Sequence, residues 1–167
     1  MNIDRKTARP VTSAAAGVFG LAFLAGISLH QAPAAASPLN DLLGTWGGSG
    51  MIQLQDGTRE RIQCNAYYTG GGSTLGLAIR CSSQTQKIEI RAKLSENGGR
   101  LAGHWEERTY NAEGDVTGQV TNNRITMSIR GGVTGSMVVS YGGVRQNVSI
   151  STQGIGLKGV DIGLRRR

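Results

Sequence analysis

The chain reads as an all-β protein: an antiparallel up-and-down meander of about 8–10 strands closing into a barrel, with a β-sandwich as the alternative. Three observations predict this. From Gly44 onward apolar and polar residues alternate with period two, and no stretch keeps a helical period. The alternating runs are separated by short turn signals such as Asp56-Gly57, Asn97-Gly98-Gly99, Gly131-Gly132 and Gly142-Gly143. Connections that short make neighbouring strands antiparallel, and a sheet of many such strands must close or fold over to remove its edges. Composition adds the third: 26 glycines stand against two phenylalanines, so the core rests on pattern rather than bulk.

The elements follow in order. Arg5, Lys6 and Arg9 form a basic leader, followed by an apolar Ala/Gly-rich run from Ala14 to Leu29 and by Ala32-Pro33-Ala34-Ala35-Ala36. That order is a secretory signal, with cleavage expected after Ala36, or after Ala34 as second choice. The apolar run is marginal for the roughly 20 residues that span a bilayer. Residues 1–36 are therefore read as a cleaved signal peptide, 37–43 as a short lead and 44–167 as one β-barrel domain. The expected location is the periplasm or the cell exterior.

Trp46, Gly48, Gly50, Ile52 and Leu54 share one face of the first strand. The next two strands flank Thr69-Gly70-Gly71-Gly72-Ser73-Thr74, with Ile62, Cys64, Ala66 and Tyr68 on one apolar face and Leu75, Leu77, Ile79 and Cys81 on the other. Cys64 and Cys81 are the only cysteines, and they are equidistant from that turn. Residues so placed oppose each other across an antiparallel ladder at disulfide range. In an exported chain a structural disulfide is the expectation. Lys87 to Leu94 and Arg100 to Tyr110 give two further strands, with a turn expected at Asn111-Ala112-Glu113-Gly114. Val116 and Val120, then Ile125, Met127 and Ile129, then Val133 to Tyr141, then Val148 and Ile150 continue the rhythm, and Val160, Ile162 and Leu164 close it.

The net charge of +7 falls to +5 once residues 1–36 are set aside, and three of the remaining positive charges are the run Arg165-Arg166-Arg167. Basicity concentrated in a tail gives no support to nucleic-acid binding. A membrane-spanning barrel needs an apolar outer band with aromatic girdles. Here the outward positions are Lys87, Glu89, Arg91 and Lys93, and six aromatics follow residue 36.

Leu43-Gly44-Thr45-Trp46-Gly47-Gly48-Ser49-Gly50 resembles the G-x-W opening of calycin barrels, the lipocalin, fatty-acid-binding and avidin groups. The resemblance implies that Trp46 lies across the closed end with an arginine from the last strand packed on it, and Arg165 or Arg166 could supply that partner. The longer form G-T-W-x-G-x-G is similar to the start of nitrobindin haem barrels. Those hold iron through a late histidine, and no histidine follows His104. Biotin-type sites are lined by several tryptophans, and only Trp105 remains besides Trp46. Neither ligand carries over. The whole chain also resembles small exported proteins of alphaproteobacteria with no assigned activity.

His104-Trp105-Glu106-Glu107-Arg108 is the one cluster mixing an imidazole with carboxylates. Alternation turns Glu107 inward with Trp105, as a ligand-orienting carboxylate or as a hydrated group near the barrel mouth. Glu106 and Glu107 cannot form an acid pair, since successive strand residues face opposite ways. No serine elbow, triad, phosphate loop or metal set is signalled, so no catalysis, metal or cofactor is expected. Two readings remain. In the first, the barrel binds a small apolar ligand, and inward Gly48, Gly50, Gly103, Gly118 and Gly135 leave space lined by Trp46, Trp105 and Glu107. In the second, it is an envelope structural or protein-interaction module, or an inhibitor, and the glycines serve strand coiling.

Overall fold

A computed structural model describes residues 37–167. The signal peptide read in residues 1–36 lies outside the described residues. A single 3-10 turn, Pro38–Leu42, precedes ten strands: β1 (Gly44–Leu54), β2 (Arg59–Gly71), β3 (Thr74–Ser82), β4 (Lys87–Asn97), β5 (Arg100–Glu107), β6 (Ala112–Thr121), β7 (Arg124–Gly131), β8 (Thr134–Gly142), β9 (Arg145–Gln153) and β10 (Leu157–Arg166). Each pairs antiparallel with its chain neighbour, and β1 pairs with β10, so the sheet is a closed barrel and not a sandwich. Among the described residues no helix is long and apolar enough to cross a membrane.

Alternation sorts the side chains. On β2, Ile62, Cys64, Ala66 and Tyr68 are buried while Arg61, Gln63 and Tyr67 are exposed. Cys64 opposes Cys81 in the β2–β3 register, and their sulfurs are 2.12 Å apart. Around β3 to β5 the outer surface carries Glu89 within ion-pair range of Arg80, Arg91 and Arg108.

The turn expected at Asn111 to Gly114 is displaced. Ala112, Glu113 and Gly114 are already in β6, and the chain reverses over residues 108–111. The physical reason is Glu107, whose Oε2 accepts the Tyr110 N–H at 2.6 Å and so tightens the reversal before Asn111. Asn111, at φ +53°, is the one described non-glycine residue with positive φ.

Bulk is distributed unevenly along the barrel axis. Of the six aromatics, Trp46, Tyr68 and Tyr141 are buried at the end where the chain enters. The stretch expected as a plain lead, residues 37–43, forms a plug there. Ser37 caps the 3-10 turn, Leu39 and Leu42 are each 1% exposed, and Tyr141 donates to the Pro38 carbonyl at 3.1 Å. Trp46 is fully buried and donates from Nε1 to the Leu42 carbonyl at 2.7 Å. The other end is walled mainly by aliphatic side chains and is hollow.

Candidate functional site

The cavity encloses about 800 Å³ and opens among the β1–β2, β3–β4, β5–β6, β7–β8 and β9–β10 connections. Its wall is aliphatic and thioether, with Ile79, Ile90, Leu94, Val116, Met127 and Met137 representative. Met127 and Met137 oppose each other across β7 and β8. The volume falls within the roughly 300–1,000 Å³ common for small-molecule sites.

Polar groups gather on one arc of the mouth: Gln55 and Asp56 after β1, Gln86 before β4, and Glu107 and Tyr110 at the end of β5. The opposite arc is Gly132, Val133, Ile155 and Gly156. Glu107 is 8% exposed. Its Oε1 accepts the Glu89 N–H at 2.8 Å and its Oε2 accepts the Tyr110 N–H, so one carboxylate ties β4 to the β5–β6 turn. The Tyr110 hydroxyl then donates to Gln86 Oε1 at 2.7 Å, joining that turn to the next connection. Glu60 braces the same connection by accepting from the Ser83 and Thr85 hydroxyls, which hold its carboxyl below the ordinary carboxylate range. The Thr58 N–H does the same for Asp56.

The sequence-expected site residues separate into two groups. Trp105, 7% exposed, and Glu107 line the cavity. Trp46, Gly48, Gly50 and Gly103 do not. Trp46 belongs to the plug, where the Arg166 guanidinium lies 4.4 Å from its ring centroid. Arg166, and not Arg165, is the packing arginine. It opposes Trp46 in register and donates to the Asp41 and Leu43 carbonyls, while Arg165 is exposed on the other face. A cation over an indole stabilises by about 0.5–2 kcal/mol.

The inward glycines mark creases, not empty space. A Cβ on Gly48 would run into the Gly163 carbonyl and lie 3.0 Å from Leu164 Cα. Gly50 meets Asp161, Gly103 meets Lys93, Gly118 meets Thr126 and Gly135 meets Ser151 in the same way, each at a backbone carbonyl of the adjacent strand. These positions let tightly coiled strands approach, and the hollow arises elsewhere, where the wall is aliphatic and thioether with Trp105 as its one tryptophan.

His104 points outward, within 3.5 Å of Asp115 and 3.7 Å of Glu113, so among the described residues no imidazole reaches the interior. Among the described residues no group of three or more His, Cys, Asp or Glu is placed to hold a metal. Gln86, Tyr110, Met127, Met137 and Thr152 are lining residues that the alternation pattern did not single out as a site.

No family model matches the chain, and no curated protein matches it in sequence. Solved structures do match. The crystal structure of Rv2717c from M. tuberculosis superposes with a TM-score of 0.65 at 16% identity, covering 79% of this chain and 98% of that one. The S-type phycobiliprotein lyase CPES from Guillardia theta superposes at 0.51 with 13% identity, covering 77% and 89%. What is shared is the fold. The chain is a closed ten-strand antiparallel barrel, and both of those structures share that fold. One expectation is corrected by this finding: the lack of a triad or metal set leads to the expectation of no catalysis, yet a lyase is built on a similar barrel. The architecture therefore gives no ground for that expectation.

Proposed function

We propose that the protein binds a small, predominantly apolar molecule inside the barrel, and does so outside the cytoplasm. The observation that carries this reading is the open cavity of about 800 Å³ with an aliphatic wall and polar groups confined to its mouth. Each methylene moved from water into such a wall contributes about 0.8 kcal/mol, so a ligand of modest size gains enough to bind. An interaction module with no ligand would be expected to fill its interior. The leader-like residues 1–36 and the paired Cys64 and Cys81 support an oxidising compartment.

Native mass spectrometry of protein isolated without detergent tests the proposal. The expected spectrum contains an adduct released by organic solvent, and the stripped protein takes up the neutral probe N-phenyl-1-naphthylamine with one-to-one saturation. Protein that carries no adduct and takes up no probe would overturn it.

A further inference from the structure

We infer that the cavity discriminates against anionic amphiphiles and takes an apolar molecule whose head group is an uncharged or cationic hydrogen-bond donor. The inference rests on the binding reading above and adds the chemical class of the ligand.

Among the described residues lining the cavity, Asp56, Glu107 and Tyr110 are the ionisable groups, and no Lys, Arg or His is present. Most side-chain donors are already committed. The Tyr110 hydroxyl donates to Gln86, the Thr152 hydroxyl to the Leu157 carbonyl at 2.6 Å, and Trp105 Nε1 to the Arg130 carbonyl at 3.4 Å. Gln86 Nε2 donates to the Thr85 hydroxyl. Among side-chain donors of the described residues this leaves the second hydrogen of the Gln86 amide and the Gln55 amide, which is exposed at the rim.

Acceptors are in surplus. A carboxylate offers about four lone-pair sites, and Glu107 uses two of them on backbone N–H groups. Asp56, the Tyr110 oxygen and the Thr152 oxygen have capacity left as well. A ligand head that brings hydrogens therefore meets more partners here than one that brings only lone pairs. A carboxylate head would meet two carboxylates and no cation, a like-charge arrangement taken out of water.

The positive charge of the protein does not reverse this. Arg100, Arg124, Arg145, Arg165, Arg166 and Arg167, against Asp41 and Glu96, sit at the plugged end and supply four of the five net positive charges of residues 37–167. Tilted strands of this length put that end roughly 20 Å or more from the mouth, beyond the screening length of about 8 Å at physiological salt. Arg59, Lys87, Arg108, Arg130 and Lys158 are near the mouth, but none lines the cavity: all five are exposed, and Lys87, Arg108, Arg130 and Lys158 each neighbour an inward residue (Ile88, Glu107, Ile129 and Leu157) and so project outside.

The test is competition against N-phenyl-1-naphthylamine at pH 8 with four molecules of one chain length: dodecan-1-ol, dodecylammonium, methyl dodecanoate and dodecanoate. Dodecan-1-ol and dodecylammonium are expected to compete best, methyl dodecanoate less well, and dodecanoate at least about tenfold more weakly than dodecan-1-ol. Glu107→Gln, which removes the charge and adds a donor, is expected to narrow that gap. Should this variant lose the fold, the four-molecule series on the unaltered protein still decides. Dodecanoate competing as well as dodecan-1-ol would overturn the inference while leaving the binding proposal standing. Absence of any probe uptake would overturn both.

Discussion

Replacing Gly50 with alanine isolates the role of the inward glycines. The added methyl would strike the Asp161 carbonyl and lie 2.7 Å from Ile162 Cα, where ordinary contact begins at 3.4 Å. Both obstacles are backbone atoms and cannot rotate aside, so β1 and β10 must part locally by at least the 0.7 Å that separates those distances, and by more at the nearer Asp161 carbonyl. Up to two ladder hydrogen bonds weaken, each contributing about 1 kcal/mol, in addition to overpacking of about 1–3 kcal/mol. The expected destabilisation is about 2–4 kcal/mol. Urea unfolding followed by tryptophan fluorescence measures it. Gly142→Ala is the control: its added methyl meets nothing within 4 Å, so stability should change by less than about 0.5 kcal/mol, or rise slightly. Equal stabilities for the two variants would refute the crease assignment and restore the reading of these glycines as open space.

Cys64→Ser with Cys81→Ser opens a loop with a sequence separation of 17 and should lower stability by about 3 kcal/mol; two titratable thiols in the oxidised native protein would contradict the pairing. Arg166→Ala should cost about 1–3 kcal/mol through the lost indole contact and carbonyl hydrogen bonds, whereas Arg165→Ala should be close to neutral in the same melt. Tyr68 donates to Gln146 at 3.0 Å in the buried interior, and Gln146 Nε2 has no partner among the described residues. Tyr68→Phe should therefore destabilise by about 1–3 kcal/mol, and adding Gln146→Leu should recover most of that loss. Burial raises the Tyr68 hydroxyl above its ordinary value of 10.0, which favours the neutral form in the folded protein. Its contribution is fully present below that pH and is lost as pH rises past it, so Tyr68→Phe should flatten the alkaline limb of a stability profile.

Local rules carried much of this structure. Strand alternation and the symmetric spacing of Cys64 and Cys81 about residues 72 and 73 are short-range signals, and the β2–β3 register is what they imply. The plugged end was legible only through resemblance, because the Trp46–Arg166 contact joins residues at opposite ends of the domain. The inward glycines stay open between two readings in the sequence for a definable reason. Parity says that Gly48 and Gly50 face inward, but whether an inward glycine leaves a hole or permits a crease depends on how closely the partner strand passes, which no local pattern encodes. The mouth was hidden for a related reason: Asn111 to Gly114 has turn chemistry, yet a carboxylate at residue 107 shifts the reversal. A usable signal for the cavity was present all the same. Described residues contain no phenylalanine, and three of six aromatics are packed into one end, so the other end lacks the bulk to fill itself.

The central claim is that the hollow end of the barrel is a binding site, and filling it is the most direct test. Ala92 lines the cavity and is 9% exposed, so Ala92→Phe places a ring in the space without touching the mouth. Uptake of N-phenyl-1-naphthylamine, measured on the unaltered protein and on this variant with melting temperature as a check on folding, should be saturable in the first and weaker by about tenfold or more in the second, since loss of part of the apolar contact area removes well over 1 kcal/mol. Equal uptake by a folded Ala92→Phe variant would place the probe on the outer surface and contradict the account.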